Sequence, residues 1–493
     1  MVFPRIACRH FATNATPSST AVIPKLGRHV SRIGFGAYRI TPGEPRHAQA
    51  LRDALKAGVS IIDTASNFAN GGSERAIGET LEDMAQKEQL DRQSLTLVSK
   101  AGYLTADQLD GFEPGKDYVQ INDKSFHTVS PKILEREITS SLERLKTNKL
   151  DIFLINGPER MLMAKNRSYT PAHLYQDLKE SFQFLDSQVA NGTIGGYGVC
   201  SNTMALPAAA DHVSLKDVLN ACIKPENFVA IEAPVNLFER EVVFGDQKTV
   251  SDIAKENDIY LMTNRPLNAI ANGQIRVLVN HIFGEGQSSE HQLMEKMTQT
   301  FSQVSNLESD MMSELPLEEE TLASKFVWGQ VLSENLARLA VNHFATKHYL
   351  TQQVLPAIDK DLKTLEEYAS QFDDEKAESF NDWMSSYKQN VRNLADDIVS
   401  YAYIDTLRKN SELDRILDAL SPTLSRQVNQ DIHSPLTVKA LRVLLGHDQI
   451  GTVFTGMRDP VYVNDALLAL DKSIKEPLSQ QDINDIWQCP IFQ

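Results

Sequence analysis

Between Ile33 and Cys200, short runs of β-branched and aliphatic residues alternate with longer amphipathic segments. This alternation restricts the fold more than any other feature of the chain. Residues 59–63, 95–100, 151–155 and 194–199 read as strands, and 48–56, 73–87, 131–145 and 173–190 as helices, with Ser130-Pro131 a strong helix start. Further strands are expected at 228–231, 259–263 and 450–454. Such uninterrupted apolar runs imply strands buried on both faces, hence a parallel sheet covered by helices. Eight strand–helix units would close into a (β/α)8 TIM barrel, with its chemistry on loops after the C-terminal strand ends.

The count reaches eight only if one long stretch is set aside. Between Gly286 and Gln430 the single glycine is Gly329, and prolines occur only at Pro316, Pro356 and Pro422. Apolar residues recur there at spacings of three and four, as in Leu332, Leu336, Leu339, Ala340 and Phe344. That is the pattern of amphipathic helices. Residues 281–430 carry 25 acidic against 13 basic side chains, −12 of the chain's −16. This stretch reads as an acidic, all-helical subdomain inserted between the seventh and eighth strands, where a barrel loop tolerates it at low entropic cost. The expected organisation is a leader at 1–24, the first part of the barrel at 25–285, the insertion at 286–430, barrel completion at 431–475 and a tail at 476–493.

The charge of −16 argues against a general nucleic-acid binder, because neutralising phosphates needs a basic surface. No apolar run has the length of a membrane span. The cysteines, Cys8, Cys200, Cys222 and Cys489, lack CxxC spacing, which suggests a reduced compartment and no structural zinc. His343 and His348 are five apart, the wrong spacing for one helix face, so no metal site is expected there. The first 43 residues have no acidic side chain but carry Arg5, Arg9, Arg28, Arg32 and Arg39. An Arg-rich, acid-free leader implies import into mitochondria, with the matrix as destination.

Residues 61–74, IIDTASNFANGGSE, read as a buried strand ending in Asp63, a turn through small residues, and a helix start. Four more segments follow the same logic at strand positions: RIGFG at 32–36, VSK at 98–100, LDIFLIN at 150–156 and GTIGGYGVCSN at 192–202. Taken together and in this order, they resemble the aldo-keto reductase family. The resemblance spans roughly residues 25–270 and 432–470. It implies a catalytic tetrad, of which Asp63 and Lys100 hold two places. Phe68 stands where the family has its proton-donating tyrosine, and Asn156 where it has histidine. Ser201 and Asn202 would hold the nicotinamide carboxamide, and Glu232 stands at a position usually occupied by glutamine. Asn264 replaces an aromatic ring that stacks on the nicotinamide. Gly456 and Arg458, before a helix start, would grip the adenosine phosphate, and arginine there favours NADP with NAD as the alternative. Ala466 replaces an asparagine that contacts adenine.

Tyrosine, with an ordinary pKa near 10, acts as the acid when its neighbours lower it. A phenyl ring has no such proton. Asp63 and Lys100 could remain simply as a buried ion pair. Alternatively Lys100, lowered by burial, donates the proton itself and Asn156 stabilises an oxyanion. His127, on the loop after the third strand, is either a substitute acid or a solvated loop residue. Cys200 is either a redox-sensitive thiol or a small buried side chain, and Arg458 either an anion ligand or a surface cation. Two functions follow from the resemblance. One is an NADP(H)-dependent oxidoreductase acting on a small carbonyl or alcohol. The other is a catalytically impaired relative that binds nucleotide, or a protein partner through the helical insertion.

Overall fold

The structure, a computed structural model, describes residues 19–166, 169–271, 274–280, 290–314, 326–340, 342–369, 374–426, 435–470 and 478–492. Its centre is a closed ring of parallel strands hydrogen-bonded in chain order. These are β1 (Ile33–Gly36), β2 (Ile61–Asp63), β3 (Thr96–Ala101), β4 (Leu150–Asn156), β5 (Ile194–Cys200), β6 (Phe228–Pro234), β7 (Tyr260–Asn264) and β8 (Thr452–Gly456), which returns to β1. β3, β4 and β6 are buried at every residue, as their unbroken apolar runs require. The expected (β/α)8 barrel is therefore the observed one, with strand ends displaced by one to three residues.

The surrounding helices are α1 (Pro45–Lys56), α2 (Gly72–Glu88), α3 (Pro131–Arg144), α4 (Pro171–Ala190), α5 (Leu215–Ala221), α6 (Val250–Glu256), α7 (Pro435–Gly446) and α8 (Pro460–Leu468). α1, α3, α4 and α8 each open on a proline, which has no N–H to leave unsatisfied. Glu44, Thr170 and Asp459 cap three of these helices by accepting from Arg46 N, His173 N and Val461 N.

Three features were not legible as such. Thr20–Ile23, within the stretch expected as leader, pairs antiparallel with Arg28–Ser31 around Gly27. Ile23 and Val30 of this hairpin pack with Ile61, Val98, Ile152, Val229, Tyr260 and Phe454, closing the N-terminal end of the barrel. Arg28, read as leader charge, instead meets Asp151 at 2.5 Å, an aspartate that also accepts from Arg92 at 3.1 Å and Leu97 N at 2.8 Å. Residues 1–18, with Cys8 and the first arginines, lie outside the described residues. The β3–α3 connection folds into a three-stranded antiparallel sheet of Tyr103–Leu104, Val119–Asn122 and Ser125–His127. The end of the chain is not a bare tail, because helix Gln480–Gln488 buries Ile483, Ile486 and Trp487.

Residues 270–416 form a compact unit of their own. Its helices include Glu290–Glu314, Leu355–Ala369 and the long Asp374–Leu420, around a core of Phe326, Leu362, Tyr387, Leu394 and Ile398. Buried Glu308 accepts from Tyr387 Oη at 2.8 Å and Gly329 N at 3.0 Å. Between β7 and these helices, ahead of the stretch expected as helical, the chain forms paired strands Asn268–Ala271 and Gln274–Val277. The acidic run Glu318–Glu320 and Asp373 lie outside the described residues. No described helix is long and apolar enough to cross a membrane.

Closure of the ring leaves no room for a side chain at one point. The β5–β6 register shifts between Tyr197 and Gly198, and a Cβ at Gly198 would lie 1.7 Å from the Ala230 carbonyl oxygen. Gly198→Ala should therefore lower unfolding stability by at least about 2 kcal/mol, read by urea denaturation. A loss under about 0.5 kcal/mol, typical of a neutral surface change, would show that the strands part freely.

Candidate active site

β2, β3 and β6 each carry one ionisable residue to the C-terminal end of the barrel, and the three side chains meet. Lys100 Nζ contacts Asp63 Oδ1 and donates to Glu232 Oε2 at 3.0 Å. All three are buried, at 5% exposure for Asp63, 2% for Lys100 and 1% for Glu232. Asn264, at the tip of β7, donates from Nδ2 to Glu232 Oε1 at 2.6 Å and approaches Cys200 Sγ at 3.7 Å. The Phe68 ring lies under the ammonium, 5.4 Å from Nζ, and meets Tyr38 edge-on at 5.0 Å.

One cation between two carboxylates leaves a net negative charge if all three ionise, and burial makes that costly. Burial, and then the Glu232 carboxylate, push Asp63 well above the usual carboxylate range. Burial by itself would lower Lys100, but Asp63 and Glu232 outweigh it and hold the amine above its ordinary value. The expected lowering of Lys100 is thus reversed. The sequence showed the desolvating strand but not the second carboxylate, which arrives from across the ring.

Asn156, at the tip of β4, reaches Asn67 Oδ1 at 3.5 Å. Its carbonyl oxygen accepts from His127 Nε2 at 2.8 Å, which fixes the proton on Nε2 because a carbonyl only accepts. His127 is fully buried beside Tyr103, not solvated, and Nδ1 has no partner among the described residues. Burial lowers its pKa to about 3, so the ring is neutral near pH 7 and is not the substitute acid.

Ser201 N donates to Glu232 O at 3.0 Å. Asn202 donates from its backbone N and from Nδ2 to Glu159 Oε1, at 2.9 and 3.1 Å. Glu159 is buried and raised by that burial. It follows the β4 tip within Pro158–Met163 and was missed by sequence reasoning, since nothing in the sequence links that turn to the end of β5. Gly456, the last residue of β8, and Arg458 just after it are exposed. The adjacent Asp459 caps α8 and pairs with Arg46 at 2.6 Å, placing a carboxylate where an anion site was expected. Cys200 is buried, with its thiol pushed up by burial, and Ala466 is buried.

A closed parallel barrel with an acid–amine pair at its strand tips defines a barrel enzyme scaffold with its site in the usual place. The chain belongs to the aldo/keto reductase family, whose model matches residues 32–363. It is 23% identical over 243 residues to the aldo-keto reductase YhdN of Bacillus subtilis, covering 48% of this chain and 58% of that protein. It is 25% identical over 134 residues to an NADH-specific methylglyoxal reductase of Escherichia coli, covering 25% and 37%. The chain thus spans between about a third and little more than half the length of the curated relatives it matches. Among solved structures, a glycerol dehydrogenase, AKR11B4, from Gluconobacter oxydans aligns at 15% identity over 96% of this chain and 95% of that one, with a TM-score of 0.49.

The depressed His127 gives a signed pH prediction. A base lowered by folding contributes stability above its unfolded value near 6.5, and that stability is lost as pH falls toward about 3. Urea unfolding of the native protein should weaken across this window by up to about 1.4 kcal/mol per pH unit from this group. His127→Gln should remove that component of the slope. Identical slopes for the two proteins would mean the imidazole is not held neutral.

Proposed function

We propose that this chain is an NADP(H)-dependent oxidoreductase that reduces a small carbonyl, or oxidises the corresponding alcohol, with an altered proton donor. The observation that carries the reading is the buried Asp63–Lys100–Glu232 cluster at the strand tips, beside Phe68 in place of the hydroxyl. The residues present suit the nicotinamide end of such a cofactor. Asn264 Oδ1 and Glu159 Oε2 are buried acceptors without partners among the described residues, and a carboxamide NH2 requires acceptors. Ser201, Asn202 and Glu232 lie at the same strand ends, and Arg458 at the open Gly456 turn would serve the phosphate. A bound nicotinamide supplies hydride to the carbonyl carbon.

The remaining work falls to the protein. Two of the three Lys100 N–H donors are taken by Asp63 and Glu232, which leaves one for a substrate oxygen. As hydride arrives, negative charge builds on that oxygen and the fixed ammonium stabilises it without reorganisation. Nζ would then give the oxygen a proton, leaving a neutral amine between Asp63 and Glu232 that solvent reprotonates once the product leaves. Asn156 offers a further amide N–H beside the same strand tip.

One observation favours the second reading, an impaired relative. Glu159 already satisfies Asn202, and Glu232 is committed to Lys100 and Asn264, so groups suited to a carboxamide are internally paired. In that case the acidic helical unit would serve as a docking surface. The Arg-rich, acid-free N-terminal stretch supports action in the mitochondrial matrix under either reading.

Fluorescence titration with NADPH, with aldehyde reduction assayed beside Phe68→Tyr, separates the two. Restoring the phenol 5 Å or so from the ammonium should raise kcat at least about tenfold, worth about 1.4 kcal/mol of barrier. Nucleotide binding without turnover, and no gain from the added hydroxyl, would remove the enzyme reading.

A further inference from the structure

The mouth of the barrel holds a second charged feature that the reaction above does not use. Arg160 follows β4 on the Pro158–Met163 turn, where its backbone N donates to Gly157 O at 2.9 Å. Gly157 has φ +67°, and a Cβ there would lie 2.8 Å from Tyr103 Oη, so glycine lets the turn fold against that tyrosine. The Arg160 guanidinium sits over the Tyr103 ring, 5.4 Å from its centre. Stacking of this kind fixes the orientation of the planar group and leaves its N–H edge free.

Arg160 is partly buried, makes no ion pair or side-chain hydrogen bond among the described residues, and its Nε is buried without a partner. Its neighbour Glu159 is turned away to Asn202. Other part-buried arginines, Arg144 with Glu74 at 2.6 Å and Arg136 with Glu137 at 2.7 Å, do have a carboxylate partner. Tyr103 also ties Arg160 to the mouth. The tyrosine begins just beyond the tip of β3 that carries Lys100, and its hydroxyl is raised by burial and by Glu159, with Cys200 and Tyr38 also in range. The Tyr38 ring, in turn, rests on Phe68. Tyr103 and Arg160 thus follow the tips of β3 and β4, at the same end of the barrel as Lys100 and Phe68.

We propose that Arg160 is a substrate anchor that binds a carboxylate, so that the preferred substrate is an oxo acid, or a hydroxy acid in the reverse direction, rather than a neutral carbonyl. This rests on the carbonyl-reducing reading of the mouth and narrows it to a class. A guanidinium fork matches a carboxylate bidentately, and such charge-assisted pairs are among the stronger polar contacts. The carboxylate also supplies the counter-charge that the half-buried cation lacks.

The test measures binding apart from turnover. Isothermal titration of the full chain with 4-oxobutanoate and 2-oxopropanoate, each against its methyl ester and without nucleotide, should show at least one acid binding about tenfold tighter or more. Arg160→Gln should erase that preference, leaving ester affinity and the thermal unfolding midpoint unchanged, while Arg160→Lys keeps part of it. Equal affinity for acid and ester in the native protein, or an acid preference that survives in Arg160→Gln, overturns the anchor. Adding NADPH then tests the other claim separately. Acid preference in binding with no turnover of any acid would keep the anchor and sink the oxidoreductase reading. Turnover that favours the esters would do the opposite.

Discussion

The contact on which the site depends is that of one buried ammonium with two carboxylates. Lys100 comes from β3, Asp63 from the adjacent β2, and Glu232 from β6 on the far side of the ring. Their meeting requires the barrel to be closed, because only closure brings β6 opposite β3. Once enclosed, the three charges cannot all be left as they would be in water. Burial and the Glu232 carboxylate raise Asp63, and the two carboxylates together hold the lysine above its ordinary value. Removing Lys100 would leave two buried carboxylates facing each other without a cation, so stability and chemistry both constrain this position.

The surroundings of the cluster are unusually self-sufficient. Glu159 ties the end of β5 to the turn after β4, His127 ties the β3–α3 sheet to the Asn156 carbonyl, and Asn264 bridges Glu232 and Cys200. These bonds hold the strand tips in register without any bound group. They also leave a small set of buried polar atoms unsatisfied, on Asn264, Glu159, His127 and Arg160, all on segments at the same end of the barrel. Unsatisfied buried groups carry a cost, which a polar ligand bound at the mouth would relieve for these four.

Much of this was readable from the chain before any coordinates. Local apolar periodicity gave the strands and helices of the barrel to within a few residues, and the change to glycine-poor, acidic helical sequence marked the extra unit. Asp63 and Lys100 were legible as a pair because both stand at ends of recognisable strands. The N-terminal hairpin was not, since Arg28 and its neighbours look alike as leader charge and as structural charge until Asp151 is placed beside them. Arg160 was passed over for a related reason. An arginine on a turn is ordinary in sequence, and only the missing carboxylate in space sets it apart.

What the sequence determined alone was local and periodic: eight strands, their helices, the inserted unit, and a phenylalanine and an asparagine at positions 68 and 156. Those follow from side-chain pattern and residue identity, which neighbours along the chain suffice to define. What the tertiary structure decided was charge state and partnership. Glu232 is 132 residues from Lys100 along the chain, yet it decides that the amine is held above its ordinary value instead of below it. Protonation depends on the field of everything packed within a few ångströms, and a linear sequence contains those distances only through the fold.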